Sequence, residues 1–116
     1  MNDRELLQRA ARAAGYEWSA EMVAYRNERD ILGLWIPRVS TLWNPLADDG
    51  QALRLAVQLQ LTVANEHLRA GCAYCTNADD VTFPTVDSVT TEDSVLPADY
   101  AATRRAIVLA AAQLAT

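Results

Sequence analysis

Trp43-Asn44-Pro45-Leu46-Ala47-Asp48-Asp49-Gly50 leads directly into Gln51-Ala52-Leu53-Arg54-Leu55-Ala56-Val57-Gln58-Leu59-Gln60-Leu61, and this junction decides the fold. Proline fixes its own φ and pushes Asn44 toward extended backbone, so the chain turns here. Asp48 or Asp49 can accept the free N–H groups of a first helical turn. The adjacent carboxylates could also suggest an acid–base pair. Such a pair needs two carboxylates that face one cleft in environments that split their pKa values, whereas a cap and its neighbour need only adjacency. On the wheel of the helix, from residue 49 to about Leu61, Gln51, Arg54 and Gln58 form a narrow polar face. Ala52, Leu53, Leu55, Ala56, Val57 and Leu59 cover the rest, an arc of about 200° against the usual ~100°. The reading is that this is the most buried helix of the protein, with Leu53 in the core. Its arc is expected to be covered within one chain, a monomer. Were a dimer to cover it, Leu55 and Leu59 would be the contact.

Upstream, strand signals alternate with breakers. Ile31-Leu32-Gly33-Leu34-Trp35-Ile36 reads as a strand ended by Pro37, and Met22-Val23-Ala24-Tyr25 as a shorter one. Arg26-Asn27-Glu28-Arg29-Asp30 between them has hairpin length, so antiparallel pairing is expected, because a parallel crossover needs a longer connection. Further back, Leu6, Leu7, Ala10, Ala13 and Ala14 fall on one helical arc, with Asn2 or Asp3 as cap and Gly15 as stop, which predicts a helix over 3–14.

Downstream of Thr62 the periodicity weakens. Val81-Thr82-Phe83 and the stretch from Val86 to Val95 hold alternating β-branched residues, enough for one or two strands. Pro97 and Asp99 then open a last helix over 98–114, with Tyr100, Thr103, Ile107, Ala110, Ala111 and Leu114 on one face and Ile107 in the core. The fold class expected is α+β: one domain, 1–116, with an antiparallel sheet packed by helices, an α-β-α sandwich.

With 116 residues, 51% of them hydrophobic, the chain can build one core without disulfides or metal. No apolar run approaches the roughly 20 residues of a membrane span, and no signal-peptide core follows Met1, so a cytoplasmic protein without a membrane partner is expected. The net charge is −5, with no lysine among the ten basic residues. Asp79, Asp80, Asp87, Glu92, Asp93 and Asp99 all fall after residue 75, where only Arg104 and Arg105 oppose them. Such a segment does not hold a phosphate backbone, so direct nucleic-acid binding is disfavoured, while a basic protein surface is complementary to it. Asp79, Asp80, Asp87, Glu92 and Asp93 are therefore the candidate partner contacts.

Motifs for catalysis are sparse. Cys72-Ala73-Tyr74-Cys75 is a C-x-x-C, and His67 precedes it by five residues. A tetrahedral zinc site needs four ligands and a second half is absent; a redox pair should sit at a helix N-terminus, whereas this pair follows Gly71 at what reads as a ragged helix end. Two free thiols are the plain expectation. A small metal- or thiol-dependent enzyme or binder using Cys72, Cys75 and His67 is the alternative. No nucleophile elbow, P-loop or dinucleotide fingerprint is present. No catalytic residue and no cofactor is assigned. Trp18, Trp35 and Trp43 read as residues of the core edge, and less readily as interface anchors.

The run Gly33-Leu34-Trp35 and the block Trp43-Asn44-Pro45-Leu46-Ala47-Asp48-Asp49-Gly50-Gln51-Ala52-Leu53-Arg54-Leu55-Ala56-Val57 resemble the phage ABA sandwich domain proteins, small proteins of tailed phages and prophages. Ala101-Ala102-Thr103-Arg104-Arg105-Ala106-Ile107-Val108 and the opening helix fit the same pattern. The resemblance implies a sheet sandwiched by helices and a phage origin. It brings no activity and no catalytic residue. The expectation is a phage accessory protein that acts by protein–protein contact in the host cytoplasm. Its partner would be a host protein with a basic surface, such as a CRISPR effector of the defence system, which it would inhibit.

Overall fold

Asn2 begins the first helix as expected: its side-chain oxygen accepts the Glu5 N–H at 2.9 Å, and α1 runs Asp3–Ala13. It ends in a Schellman turn. The Tyr16 N–H reaches the Ala11 carbonyl at 2.8 Å, the Gly15 N–H reaches Arg12, and Gly15 takes φ +80°, which glycine adopts without strain. The computed structural model describes residues 1–19, 32–89 and 94–115. The expected strand at Met22–Tyr25 and the hairpin turn at 26–30 lie outside the described residues.

The strand before Pro37 forms as β1, Leu34–Ile36, and the proline opens a single 3₁₀ turn, Pro37–Val39. Ser40 in the left-handed region (φ 47°) reverses the chain into β2, Thr41–Trp43, antiparallel to β1 with Leu34 opposite Trp43. The junction after Trp43 is closed by side chains. The Asn44 side chain accepts the Leu46 N–H at 3.1 Å, and Asp48 caps the next helix by accepting the Gln51 N–H at 2.8 Å. That helix, α2, runs Asp49–Gln58 and stops in a second Schellman turn with Gln60 at φ 55°.

The chain then makes two strands where the hydrophobic pattern is weak: β3, Thr62–Glu66, and β4, Cys72–Thr76. They pair antiparallel, with Ala64 opposite Tyr74. β5, Val86–Asp87, adds to the other side of β4, and an isolated bridge joins Thr76 to Thr82. The last helix, α3, runs Pro97–Leu114. The fold is thus α+β with antiparallel pairing, divided among the described residues into a two-stranded and a three-stranded sheet.

α3 is the axis of the molecule. It packs on α1, on β4 and on α2, and Ala102, Ala106, Ile107, Val108, Ala110, Ala111 and Ala112 are all buried. Small side chains on nearly every face let neighbours approach from several directions. Ile107 is in the core as expected. Arg104 and Arg105, set early in a helix whose dipole disfavours them, are held by acids: Arg104 pairs with Asp49 at 2.6 Å and Arg105 with Asp3 at 2.8 Å.

α2 overturns two expectations. Leu53 is 63% exposed and Val57 69% exposed, so Leu53 is not a core residue and the apolar arc is not covered within the described chain. Only Ala52, Leu55 and Ala56 are buried on this helix. The reason is that its glutamines grip neighbouring backbone. Gln51 accepts the Asn44 N–H at 2.6 Å and donates to the Leu42 carbonyl, while Gln58 donates to the Ala14 carbonyl at 2.6 Å and accepts from the Tyr16 hydroxyl. These bonds orient the helix and turn Leu53 and Val57 outward.

Candidate functional site

The outward side of α2 faces a groove of about 410 Å³, bounded by α2, β3 and the first half of α3. Its walls are mainly apolar: Leu53, Val63, Val95, Tyr100 and Ile107 line it. Strand periodicity explains the floor. Val63, Asn65 and His67 follow one another at every second residue, so all three fall on the face turned to α3. Tyr100, expected on the buried face of its helix, is 55% exposed at the groove wall, because its neighbour Asp99 takes the interior position.

Asp99 is fully buried. It accepts the Leu96 N–H at 2.9 Å, satisfying the first turn of α3, and the Val89 N–H at 2.9 Å, tying the preceding loop to the helix. It is therefore a structural carboxylate and not part of a surface charge.

Beside it lies His67, 7% exposed. The protons of this site can be followed from bond to bond. The Thr103 hydroxyl donates to the Asn65 side-chain oxygen at 2.7 Å, so Thr103 Oγ1 takes the Nε2–H of His67 at 2.8 Å. His67 Nδ1 is left to accept from the Ser88 hydroxyl, with the Asp99 carboxylate 3.9 Å away, beyond hydrogen-bond reach. The chain Ser88–His67–Thr103–Asn65 has the residue types of a nucleophile and its base, with Ser88 donating to His67 and Thr103 orienting the ring from the other side, and the imidazole is almost fully buried. What the chain does is fasten β3 and the loop before α3 onto the helix, under the groove.

The cysteines do not form a pair. They lie in a strand, where residues three apart point to opposite faces. Cys75 is buried in the core and its thiol is pushed up from 9.0 to about 11 by burial, while Cys72 is only partly covered on the other face. The expected ragged helix end is in fact this strand, because Cys72–Thr76 finds its partners across β3 and β5. No group of three His, Cys, Asp or Glu side chains placed to hold a metal exists among the described residues.

The acidic candidates are dispersed. Asp79 and Asp80 sit together, exposed, on the loop from 77 to 81 that follows β4. Asn77 shapes this loop by accepting the Asp79 and Val81 N–H groups at 3.0 Å each, with Asp80 at φ 58°. Asp87 is also exposed but lies opposite Cys72, at the other end of β4, roughly 13 Å away at strand rise. Glu92 and Asp93 lie outside the described residues. The structure joins Asp79 to Asp80 and does not bring Asp87 to them.

Sequence reasoning missed the groove. The available signal was the every-second-residue spacing of Val63, Asn65 and His67, too short and too polar to stand out in a weakly periodic stretch. No helix among the described residues is long and apolar enough to cross a membrane. No family model, curated protein or solved structure matches the chain.

Proposed function

We propose that this protein acts by binding another protein, not by covalent chemistry, and that the groove between α2, β3 and α3 is its contact surface. The observation that carries the reading is the outward exposure of Leu53 and Val57 beside an apolar groove, in a helix whose orientation is set by glutamine bonds to the Leu42 and Ala14 carbonyls. Contiguous apolar surface of this kind costs solubility and marks contact sites in folded proteins.

The biological setting in this reading comes from the resemblance to phage ABA sandwich proteins: an accessory factor in the host cytoplasm that occupies a basic surface of a host protein, such as a defence complex. The charge of −5 supports a basic partner, with Asp79 and Asp80 steering the encounter and the groove holding it.

A photo-crosslinking residue at position 53 tests this. In host lysate it should trap one discrete protein, and the same residue at position 9, on the exposed face of α1, should not. Equal or absent crosslinking at the two positions overturns the reading.

A further inference from the structure

We infer that the occupant of the groove is an extended, positively charged protein segment that adds as a strand along the outer edge of β3. The inference rests on the binding role proposed above and assigns its partner chemistry.

The ladder itself identifies the open edge. In an antiparallel strand, the N–H and C=O of one residue point to the same side and alternate residues point to opposite sides. On β4, the Cys75 carbonyl accepts the Phe83 N–H at 2.9 Å, and just before the strand the Gly71 carbonyl accepts the Ser88 N–H at 2.9 Å. Residues 71, 73 and 75 therefore bond toward β5, and Cys72, Tyr74 and Thr76 bond toward β3. Their partners are Glu66, Ala64 and Thr62. The remaining β3 residues, Val63 and Asn65, point their backbone groups away from β4, and β3 has no other strand neighbour among the described residues.

These same two residues supply side chains to the groove. The open hydrogen-bonding edge and the apolar recess are thus one feature, running along one strand. A strand laid there would satisfy the N–H and C=O groups of Val63 and Asn65. Every second side chain of it would drop into the recess against Leu53, Tyr100 and Ile107. That division, main chain for affinity and alternate side chains for selectivity, is how strand addition works. β3 has no proline, no bulge and no lysine, and its one charged residue, Glu66, lies at its end with its backbone bonded to β4.

Charge selects the kind of segment. A second copy of this chain would bring another −5 to the edge, and self-pairing is opposed. A segment bearing arginine or lysine is drawn in by this net charge, while the groove wall itself is balanced, Asp49 being paired with Arg104 at 2.6 Å.

The test uses the full chain and a displayed library of random octapeptides. Enriched sequences should alternate apolar with other residues and carry a net positive charge. One synthetic peptide from the selection should slow hydrogen exchange at the Val63 and Asn65 amides and leave Ala64, already bonded to β4, unchanged. N-methylation at a peptide residue facing β3 should weaken binding about tenfold. Val63→Pro, which removes an outward N–H, and Leu53→Arg should each abolish binding while the far-ultraviolet dichroism and melting temperature stay near those of the parent. Peptides that bind without protecting Val63 and Asn65, or that tolerate N-methylation, overturn strand addition but leave the groove as a contact site. Self-association through β3, seen as a dimer by sedimentation and lost in Val63→Pro, also overturns it. An empty selection overturns it too, while the crosslink at position 53 decides the groove reading separately.

Discussion

α2 and α3 are both rich in apolar residues, and the molecule treats them in opposite ways. α3 is covered on almost every side, by α1, α2 and the three-stranded sheet, and its alanines fit because each neighbour lies close. α2 is covered along one narrow line, Ala52, Leu55 and Ala56, and its position is set by Gln51 and Gln58 holding the backbone of other elements. A broad apolar arc therefore says that a helix can be buried. Whether it is buried depends on what the rest of the chain brings to it.

The sharpest break of this comparison lies within α2 itself. Leu55→Ala should lower unfolding free energy by about 2–5 kcal/mol in urea titration, and Leu53→Ala, two residues away, should change it by no more than about 0.5 kcal/mol. Similar losses at both positions would mean that Leu53 is covered in the free protein. On α3, Ala110→Leu should cost about 1–3 kcal/mol, since the site is fully buried and tightly surrounded, whereas Val57→Leu on α2 should be close to neutral. Gln58→Ala should cost about 1–2 kcal/mol through the lost bonds to Ala14 and Tyr16, a loss that an outward-facing glutamine would not produce.

Two smaller effects sharpen the rest. Cys75 keeps its proton in the fold up to about 11, against 9.0 in its ordinary setting, so the native state binds more protons than the unfolded state in that window. Stability should fall as pH rises from 9 toward 11 and be insensitive to this thiol below it. Cys75→Ala should remove that slope, and in the parent iodoacetamide should modify Cys72 first. Least of all, Asp79→Asn with Asp80→Asn should leave stability within about 0.5 kcal/mol and flatten the salt dependence of partner association. If the pair changes the melting point instead, the loop shaped by Asn77 depends on those charges.

Local chemistry was legible where it was self-contained. Asn2 and Asp48 as caps, Gly15 as a helix stop, Pro37 as a strand end and Pro97 with Asp99 at the start of α3 each act within a few residues of themselves. β3 and β4 were not legible, because Thr62–Glu66 and Cys72–Thr76 are strands by virtue of pairing with each other, and neither has a strong alternation alone. The C-x-x-C lost its meaning for the same reason: a helix would have placed the two thiols on one side, and the strand puts them on opposite faces.

The candidate site divides in the same way. The acidic excess after residue 75 can be counted in the chain, but its parts end up apart, with Asp99 sealed inside as a cap and Asp87 a strand's length from Asp79 and Asp80. The groove could not be counted at all, since its walls come from three elements.

By itself, then, the sequence determined the α+β class, the helix ends, the buried place of Ile107 and the negative charge, because propensity, capping and net charge belong to single residues and their near neighbours. Only the tertiary structure decided which side of α2 faces outward, which edge of β3 is open among the described residues and which side chains hold His67. Those depend on hydrogen bonds between residues tens of positions apart, such as Gln58 to Ala14 and His67 to Thr103, whose partners are chosen by packing.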